Sequence, residues 1–170
     1  IAIIPARGGS KRLPHKNIKK FHGKPIIQYS IEVALQSGHF DEVMVSTEDD
    51  AIGEVAKQLG ASVPFLRSEK NADDNAILAD VLIEVLNSYE KLNITFDYCC
   101  CVLATAPFVS VKRLSEAYNH MLKGSFNSVS TLIPYSVPIQ QALKLDNDGK
   151  STMFFSDEYG VRTQDFEKSY

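Results

Sequence analysis

Residues 1–11 read Ile1-Ala2-Ile3-Ile4-Pro5-Ala6-Arg7-Gly8-Gly9-Ser10-Lys11, and they carry the clearest indication of the fold. Their apolar start contains three β-branched isoleucines and predicts a buried strand, which Pro5 should end because proline has no N–H to donate. Two adjacent glycines then let the backbone approach a ligand closely. The cations in and after this loop include Arg7, Lys11, Arg12, Lys16 and Lys20. Such a loop predicts a polyphosphate site at the carboxyl edge of a parallel sheet.

The loop matches neither of the two common phosphate-binding fingerprints. A Walker loop has four residues between its first glycine and a Gly-Lys-Ser/Thr ending, and that ending is missing here. A dinucleotide fingerprint needs three glycines in the pattern G-x-G-x-x-G, whereas this loop has only Gly8 and Gly9. We therefore expect neither a P-loop NTPase nor a dinucleotide-binding dehydrogenase. A basic surface turn without a ligand is the alternative, but it does not explain why strand, proline, glycine pair and spaced cations occur together.

Beyond the loop, predicted helices and strands alternate along the chain. Apolar residues recur at helical spacing in four segments, which begin near residues 25, 50, 77 and 111. Apolar runs predict further strands at 43–45, 63–66, 96–103 and 128–133. This alternation predicts an α/β fold with a doubly wound, mostly parallel sheet built from right-handed βαβ units. After Pro134 the pattern changes, and segments 142–145 and 151–155 predict an antiparallel hairpin or meander around an Asp-Asn-Asp-Gly turn.

The composition is that of a globular domain. The chain has 170 residues, 44% of them hydrophobic and 23% charged, which suffices for one domain with a core of its own. The net charge of −3 argues against a nucleic-acid partner, and the apolar runs are too short to span a membrane. The three cysteines, Cys99, Cys100 and Cys101, are consecutive and would alternate between strand faces, so we expect neither a metal site nor disulfides and favour a cytoplasmic location.

The residues Pro5-Ala6-Arg7-Gly8-Gly9-Ser10-Lys11, followed by Lys16-Asn17, resemble the signature of the nonulosonate cytidylyltransferases. This family comprises the CMP-sialic acid synthetases and their relatives for pseudaminic and legionaminic acids. The resemblance implies a Rossmann-like, glycosyltransferase-A-like nucleotidyltransferase fold. It also implies an enzyme that uses CTP to activate a nine-carbon nonulosonic acid, giving the CMP-sugar and pyrophosphate.

The resemblance also implies which residues bind the nucleotide. Arg7, Lys11 and Lys16 would be catalytic, because they would stabilise charge on the triphosphate and the leaving group. Arg67 matches a family arginine that bonds the cytosine, with a surface arginine at a strand end as the alternative. The complete predicted nucleotide-binding set is Ala6, Arg7, Gly8, Gly9, Ser10, Lys11, Lys16, Asn17, Arg67 and Ala76.

A second set of residues is implied for the sugar. Leu103 stands near the position where the sialic acid enzymes have a glutamine that touches the sugar, so the enzymes for pseudaminic acid are the more similar members. Lys144 and Arg162 are candidate partners of the sugar carboxylate, although each could equally be an ordinary surface charge. The complete predicted sugar-binding set is Leu103, Thr105, Lys144, Arg162 and Gln164.

The metal ligands stay unknown from this sequence. The resemblance implies Mg²⁺, but the family's principal carboxylates follow a motif that would lie after Tyr170. Glu48, Asp49 and Asp50 form an acidic run, which we interpret as the first turn of a helix. Since the chain begins within a strand and stops before that motif, we expect both native ends to be missing.

The resulting prediction is a single cytidylyltransferase domain over residues 1–170 that acts most plausibly on pseudaminic acid. Residues 135–155 would form an arm that dimerises the protein and completes the sugar site, making it a homodimer. One alternative is a CMP-N-acetylneuraminate synthetase. Another, of a different class, is a non-catalytic nucleotide-binding module, against which the intact Arg7, Lys11 and Lys16 argue.

Overall fold

Seven strands and five α-helices make up the regular structure of this computed structural model, which describes residues 1–11, 13–73, 76–124 and 126–170. The strands are β1 (Ala2–Pro5), β2 (Lys20–Phe21), β3 (Lys24–Pro25), β4 (Val43–Ser46), β5 (Cys100–Cys101), β6 (Leu143–Leu145) and β7 (Ser151–Met153). The helices are α1 (Ile26–Ser37), α2 (Asp50–Gln58), α3 (Glu69–Ala72), α4 (Leu78–Glu90) and α5 (Val111–Lys123). The chain divides into two units, Ile1–Asn127 and Ser128–Tyr170.

Strand β1 is the centre of a parallel three-stranded sheet with the order β4-β1-β5. Ile4 belongs to a buried cluster with residues of α1 and α2, such as Ile31 and Ile52. Ile3 belongs to a second cluster on the other face, with Val85 of α4. Helices therefore cover both faces of the sheet, and the predicted α/β fold with a doubly wound parallel sheet is confirmed.

The predicted helices are confirmed at 26–37, 50–58, 78–90 and 111–123. Gly38 ends α1 with a φ of 66°, a left-handed conformation that glycine adopts without strain. Asp49 caps α2 by accepting hydrogen bonds from the backbone N–H groups of Ala51 and Ile52. Ser110 caps α5 in the same manner. Local sequence signals thus fixed where these helices begin and end.

Two predicted strands are wrong. Segment 63–66 is not a strand, and only its neighbour Ser62 bridges to Met44 of β4. Pro64 interrupts the segment, and a proline cannot donate to the ladder. Segment 128–133 is irregular, and Ile133 is 83% exposed, so its β-branched residues lack the covered face on which β propensity depends.

A third predicted strand, at 96–103, is much shorter than expected. Only Cys100 and Cys101 pair with β1. Phe96 instead packs its ring edge-on against Tyr89 of α4, with 5.2 Å between the ring centroids. Part of this apolar run therefore packs against α4, and only its end pairs in the sheet.

A short hairpin after the loop was not predicted. Strands β2 and β3 pair antiparallel around His22 and Gly23, which both have positive φ, at 47° and 87°. Two consecutive positive φ values are typical of the type I′ turn that joins tightly paired strands. The hairpin leads the chain directly into α1.

The second unit is built around the predicted hairpin of β6 and β7, which is confirmed. Its backbone is tied together by a hydrogen bond from the Tyr135 N–H to the Ser169 carbonyl, at 2.9 Å. Many of its apolar side chains are exposed, including Leu145 at 71% and Tyr159 at 84%. Across the described part of the chain, no helix combines the length and apolar character that a membrane crossing requires.

Candidate nucleotide site

The phosphate loop predicted from the sequence, residues 6–17, leaves the carboxyl end of β1. The chain runs from β1 through α1 to β4 on one side, and later reaches β5 on the other side. β1 is therefore where the strand order reverses, and ligands of open α/β sheets bind at such a point, beyond the carboxyl ends of the strands. The fold brings the phosphate loop to the predicted edge.

Asn17 supports the loop backbone and is buried, with only 5% of its surface exposed. Its Nδ2 donates a hydrogen bond to the Arg7 carbonyl at 2.9 Å. The Ser10 N–H donates to the Gly8 carbonyl at 2.8 Å, which makes the backbone turn sharply at the glycine pair. Asn17 thus supports the loop backbone here, and its predicted closeness to the nucleotide stays a prediction.

Gly8 is pressed against the turn between β4 and α2. Its N–H donates a hydrogen bond to Glu48 Oε1 at 2.7 Å. A Cβ atom at this position would lie 2.3 Å from Asp49 Oδ2 and 2.9 Å from Asp49 Cβ, so only glycine fits. Gly8 belongs to the predicted nucleotide-binding set, but in this structure its N–H already donates a hydrogen bond to Glu48.

Several described residues of the loop are open to solvent. A Cβ on Gly9 would meet no atom within 4 Å, and Lys11 and Lys16 are exposed. Lys16 begins a 3-10 turn, Lys16–Ile18, immediately after His15 in a left-handed conformation. Ala6 is fully buried, and its N–H donates to the Ser46 carbonyl at 2.9 Å. Gly9, Lys11 and Lys16 are therefore parts of the loop that a ligand could reach.

Arg67 lies next to this loop and is buried, with 8% of its surface exposed. Its Nε donates to Ser46 Oγ at 3.0 Å, and its Nη2 donates to the Ser46 carbonyl. Burial lowers the pKa of the guanidinium, while the carboxylates of Glu48 and Glu84 act in the opposite direction. Arg67 is therefore not a surface residue, although its bonds to Ser46, the last residue of β4, do place it at a strand end as the alternative supposed. The predicted contact with the base stays a prediction.

Arg7 and Ala76 meet at one carbonyl group. Arg7 Nη1 donates to the Asp73 carbonyl at 3.2 Å, and the Ala76 N–H points to the same oxygen at 3.4 Å. The structure thus brings together residues of the nucleotide-binding set that are far apart in sequence. The sequence predicts a polar loop over residues 67–75, and the short helix α3 is a correction: Ser68 caps it by accepting a hydrogen bond from the Asn71 N–H.

Glu84 of α4 anchors this segment. Its carboxylate accepts hydrogen bonds from the Ser68 N–H at 2.7 Å, from Ser68 Oγ at 2.9 Å, and from Asn71 Nδ2. Partial burial alone would raise the pKa of the Glu84 carboxyl, but these hydrogen bonds and Arg67 outweigh it and the pKa is lowered. Sequence reasoning missed Glu84 because it lies on the polar face of a helix.

The sugar-binding set is divided between the two units. Leu103 and Thr105 are exposed and follow β5, and the Leu103 carbonyl accepts a hydrogen bond from Ser30 Oγ at 2.8 Å. Lys144, Arg162 and Gln164 belong to the second unit, where Lys144 lies over the Phe154 ring and Arg162 pairs with Asp165 at 2.8 Å. Both groups stay predictions as sugar ligands.

Two residues of the acidic run before α2, Glu48 and Asp49, accept hydrogen bonds from backbone N–H groups. The role of Asp49 as helix cap confirms the interpretation of this run as a first helical turn. In the described ranges, no three side chains of His, Cys, Asp or Glu are grouped so that they could hold a metal ion. Glu48 was missed as a support of the loop because its contact with Gly8 joins residues forty positions apart.

Comparison with known proteins gives consistent similarities. A family model described as cytidylyltransferase matches residues 1–151. The pseudaminic acid cytidylyltransferase of Campylobacter jejuni is 41% identical over all of this chain and 73% of its own length. The CMP-N,N'-diacetyllegionaminic acid synthase of Legionella pneumophila is 38% identical over 88% of this chain and 64% of its own length.

Two solved structures of cytidylyl-transferring enzymes are also similar to this chain. A CMP:2-keto-3-deoxy-manno-octonic acid synthetase in complex with CTP superposes with a TM-score of 0.62 and 27% identity, over 72% of this chain. A cytidylyltransferase from Leptospira borgpetersenii superposes with a TM-score of 0.56 and 26% identity, over 73% of this chain. The chain spans 47% and 49% of these two structures, about half of each.

Proposed function

This chain belongs to the cytidylyltransferase family, as its phosphate loop predicted, and on that premise we propose that its protein transfers CMP from CTP to pseudaminic acid. The observation that carries the proposal is the glycine-pair loop with its cations at the carboxyl end of β1, in a chain 41% identical throughout to a pseudaminic acid cytidylyltransferase. Members of this family are nucleotidyltransferases, and this chain is one of them.

In the proposed reaction, the anomeric hydroxyl oxygen of the sugar bonds to the α-phosphorus of CTP. The bond from that phosphorus to the β-phosphate oxygen breaks, pyrophosphate leaves, and the hydroxyl loses its proton. Arg7, Lys11 and Lys16 would stabilise the charge that develops on the phosphate oxygens and the leaving group. The planar guanidinium of Arg7 suits paired phosphate oxygens, while the lysines act as compact charges.

The nucleotide would lie across the loop, with its triphosphate near Gly9, Ser10 and Lys11. The exposure of Gly9 and Lys11 supports this assignment, because a ligand can approach both. Arg67 and the backbone at Ala76 would meet the cytosine. Two observations support this assignment. Arg7 donates a hydrogen bond to the Asp73 carbonyl, and the charge of Arg7 acts on the nearby Arg67.

The acceptor would be recognised by Leu103 and Thr105 after β5, together with Lys144, Arg162 and Gln164. Leu103 is 52% exposed, so an apolar surface is available where sialic acid enzymes are expected to carry a glutamine. The cations Lys144 and Arg162 would meet the carboxylate that every nonulosonic acid carries.

Three further features complete the proposal. Mg²⁺ would accompany CTP, since it commonly binds nucleotide phosphates with few protein ligands. The protein would be a homodimer, for which the exposed apolar side chains of residues 135–155 are the support. It would act in the cytoplasm, consistent with three cysteines that form no disulfide.

The test is pyrophosphate release by the full-length protein with CTP and Mg²⁺. Pseudaminic, legionaminic and N-acetylneuraminic acids are supplied in separate reactions, and we expect turnover with pseudaminic acid. Turnover only with N-acetylneuraminic acid would overturn the substrate and favour a CMP-N-acetylneuraminate synthetase. Binding of CTP without turnover on any sugar would overturn the reaction and favour a binding module.

Matched variants make this test specific. Arg7→Ala should abolish turnover, whereas Lys57→Ala on the exposed side of α2 should not change it, because Lys57 is exposed and pairs with the neighbouring Glu54. Light scattering of the same protein tests the homodimer, and a monomeric mass would contradict it.

A further inference from the structure

Hydrogen bonds from two residues converge on the carboxylate of Glu84 in α4. Its Oε1 accepts a hydrogen bond from the Ser68 N–H at 2.7 Å. Its Oε2 accepts hydrogen bonds from Ser68 Oγ at 2.9 Å and from Asn71 Nδ2. Hydrogen bonds to a charged acceptor are stronger than bonds between neutral groups. Glu84 therefore ties the segment that follows Arg67 to a helix that packs on the sheet.

The backbone is fixed on both sides of Arg67. The Arg67 N–H donates to the Thr47 carbonyl at 2.8 Å, and the next N–H, that of Ser68, donates to Glu84. Because a peptide group is planar, the bond from Ser68 also fixes the orientation of the Arg67 carbonyl. The Arg67 side chain, 8% exposed, donates to Ser46. The chain at the end of β4 thus holds one side of Arg67, and Glu84 holds the other.

The far end of the same segment reaches the phosphate loop. Helix α3 lies between the two ends, and the Asp73 carbonyl that follows it accepts a hydrogen bond from Arg7 Nη1 at 3.2 Å. The contact of Asn71 with Glu84 comes two residues before Asp73. The segment that Glu84 anchors therefore joins Arg67, predicted to bind the base, to a partner of Arg7, predicted to bind phosphate.

We propose that Glu84 is a positioning residue for recognition of the base. Its hydrogen bonds fix the segment that follows Arg67, and through that segment they aim the guanidinium of Arg67 at the nucleotide. Glu84 itself does not touch the ligand. The inference deepens the proposed function and rests on it, because it requires Arg67 to meet cytosine.

The preference for CTP over UTP reports on Arg67. Cytosine presents two adjacent acceptors, N3 and O2, which match the forked donors of a guanidinium. Uracil has an N–H at N3, so it presents a donor there. A variant that is merely less stable binds both nucleotides more weakly by the same factor, because both bind the same folded state. The ratio of the two affinities therefore separates the positioning of Arg67 from a loss of stability.

The experiment is calorimetric titration of the full-length protein with CTP, UTP and inorganic tripolyphosphate. Glu84→Ala removes the acceptor, and we expect the preference for CTP over UTP to fall about tenfold. The affinity for tripolyphosphate should stay within about threefold of the wild type, because Asn17 and Glu48 still hold the backbone of the loop.

Two matched variants accompany Glu84→Ala. Glu84→Gln keeps a carbonyl oxygen for the Ser68 N–H and should retain the CTP preference within about threefold of the wild type. Ser110→Ala is the control for stability, because it removes the cap of α5 and should leave the preference unchanged.

A double-mutant cycle shows whether Glu84 acts through Arg67. Arg67→Lys should lower the CTP preference by itself, and Glu84→Ala should add little to it. Effects that add in full, or an unchanged preference in Glu84→Ala, would overturn the inference and leave the proposed function standing. A preference as low in Glu84→Gln as in Glu84→Ala would also overturn it, because the charge of Glu84 and not its hydrogen bonds would then be the cause.

The remaining outcomes also decide. Should Glu84→Ala not fold, Asn71→Ala removes one donor of the same set and should lower the CTP preference about threefold. An unchanged preference in that variant would overturn the inference. If the wild type binds neither CTP nor tripolyphosphate, the proposed function and the inference are both overturned.

Discussion

The two units of the chain differ in how their apolar residues are used. In Ile1–Asn127, Ile3, Ile4 and Ile31 have no exposed surface. In Ser128–Tyr170, no described residue is buried, and Ile133 is 83% exposed. The first unit therefore has the kind of core that stabilises a fold by burial, whereas the second is held mainly by backbone pairing. Apolar composition alone does not reveal which of these outcomes a segment reaches.

Core truncation should give the largest contrast between the units. Ile4→Ala should lower the free energy of unfolding by about 2–5 kcal/mol, because it leaves a cavity between the sheet and α1. Leu145→Ala in β6 should change it by less than about 0.5 kcal/mol, since Leu145 is 71% exposed. Urea denaturation of both full-length variants measures this. A larger loss for Leu145→Ala would mean that Leu145 is covered in the full-length protein, and the small loss expected here places Leu145 outside the contact of the proposed homodimer.

Within the first unit, the two glycines of the loop should behave differently. Gly8→Ala should cost about 1–3 kcal/mol, because its Cβ would overlap Asp49 and force the loop away from the β4–α2 turn. Gly9→Ala has open space at its Cβ and should leave stability unchanged. Thermal unfolding and CTP titration of the pair test this. Equal behaviour of the two variants would refute the close packing of Gly8 on that turn.

The cap of α2 should have an intermediate effect. Asp49→Ala should lower stability by about 1 kcal/mol, because the N–H groups of Ala51 and Ile52 lose their acceptor. Asp50→Ala is the matched control, since Asp50 is exposed and contributes only by its charge near the helix start, about 0.3 kcal/mol. Chemical denaturation compares the two. A loss for Asp50→Ala that equals the loss for Asp49→Ala would mean that charge and not capping stabilises α2.

Lowering the pH should reduce the stability of the first unit, because Glu84 becomes protonated. This loss of stability should be smaller than the loss caused by removing the α2 cap. The folded-state pKa of Glu84 is below its ordinary value of 4.5, so its contribution is fully present above that value and is lost as the pH falls through the lowered pKa. Glu84→Gln should remove this part of the pH dependence, and Glu90→Gln, at the exposed end of α4, should not. Denaturation midpoints between about pH 6 and pH 3 measure both slopes. Parallel slopes for wild type and Glu84→Gln would contradict the assignment.

The smallest effect on stability belongs to the second unit. Arg162→Ala breaks an exposed ion pair with Asp165 and should change the free energy of unfolding by less than about 0.5 kcal/mol. If Arg162 meets the sugar carboxylate as proposed, the KM for the acceptor should nevertheless rise, while the KM for CTP should not. Initial-rate kinetics with each substrate varied in turn provide the measurement. An unchanged acceptor KM would return Arg162 to an ordinary surface charge.

What could be predicted from the sequence was local or followed from a strong motif. The helix starts at Asp49 and Ser110 and the end at Gly38 depend on neighbouring residues, so the sequence predicts them closely. The loop signature identified the family, which the family model and the relatives confirm. Predictions failed where a strand needs a partner, as at 63–66 and 128–133, because β pairing depends on residues distant in the chain.

The candidate site shows the same division. The sequence by itself determined the family, the parallel α/β fold and the residues of the loop, since motif and periodicity are properties of the chain order. Only the tertiary structure revealed that Gly8 donates to Glu48, that Arg67 is buried against Ser46, and that Glu84 anchors the segment after Arg67. The physical reason is that burial and hydrogen bonding between distant residues depend on how the chain packs, and no local pattern encodes which polar groups will meet.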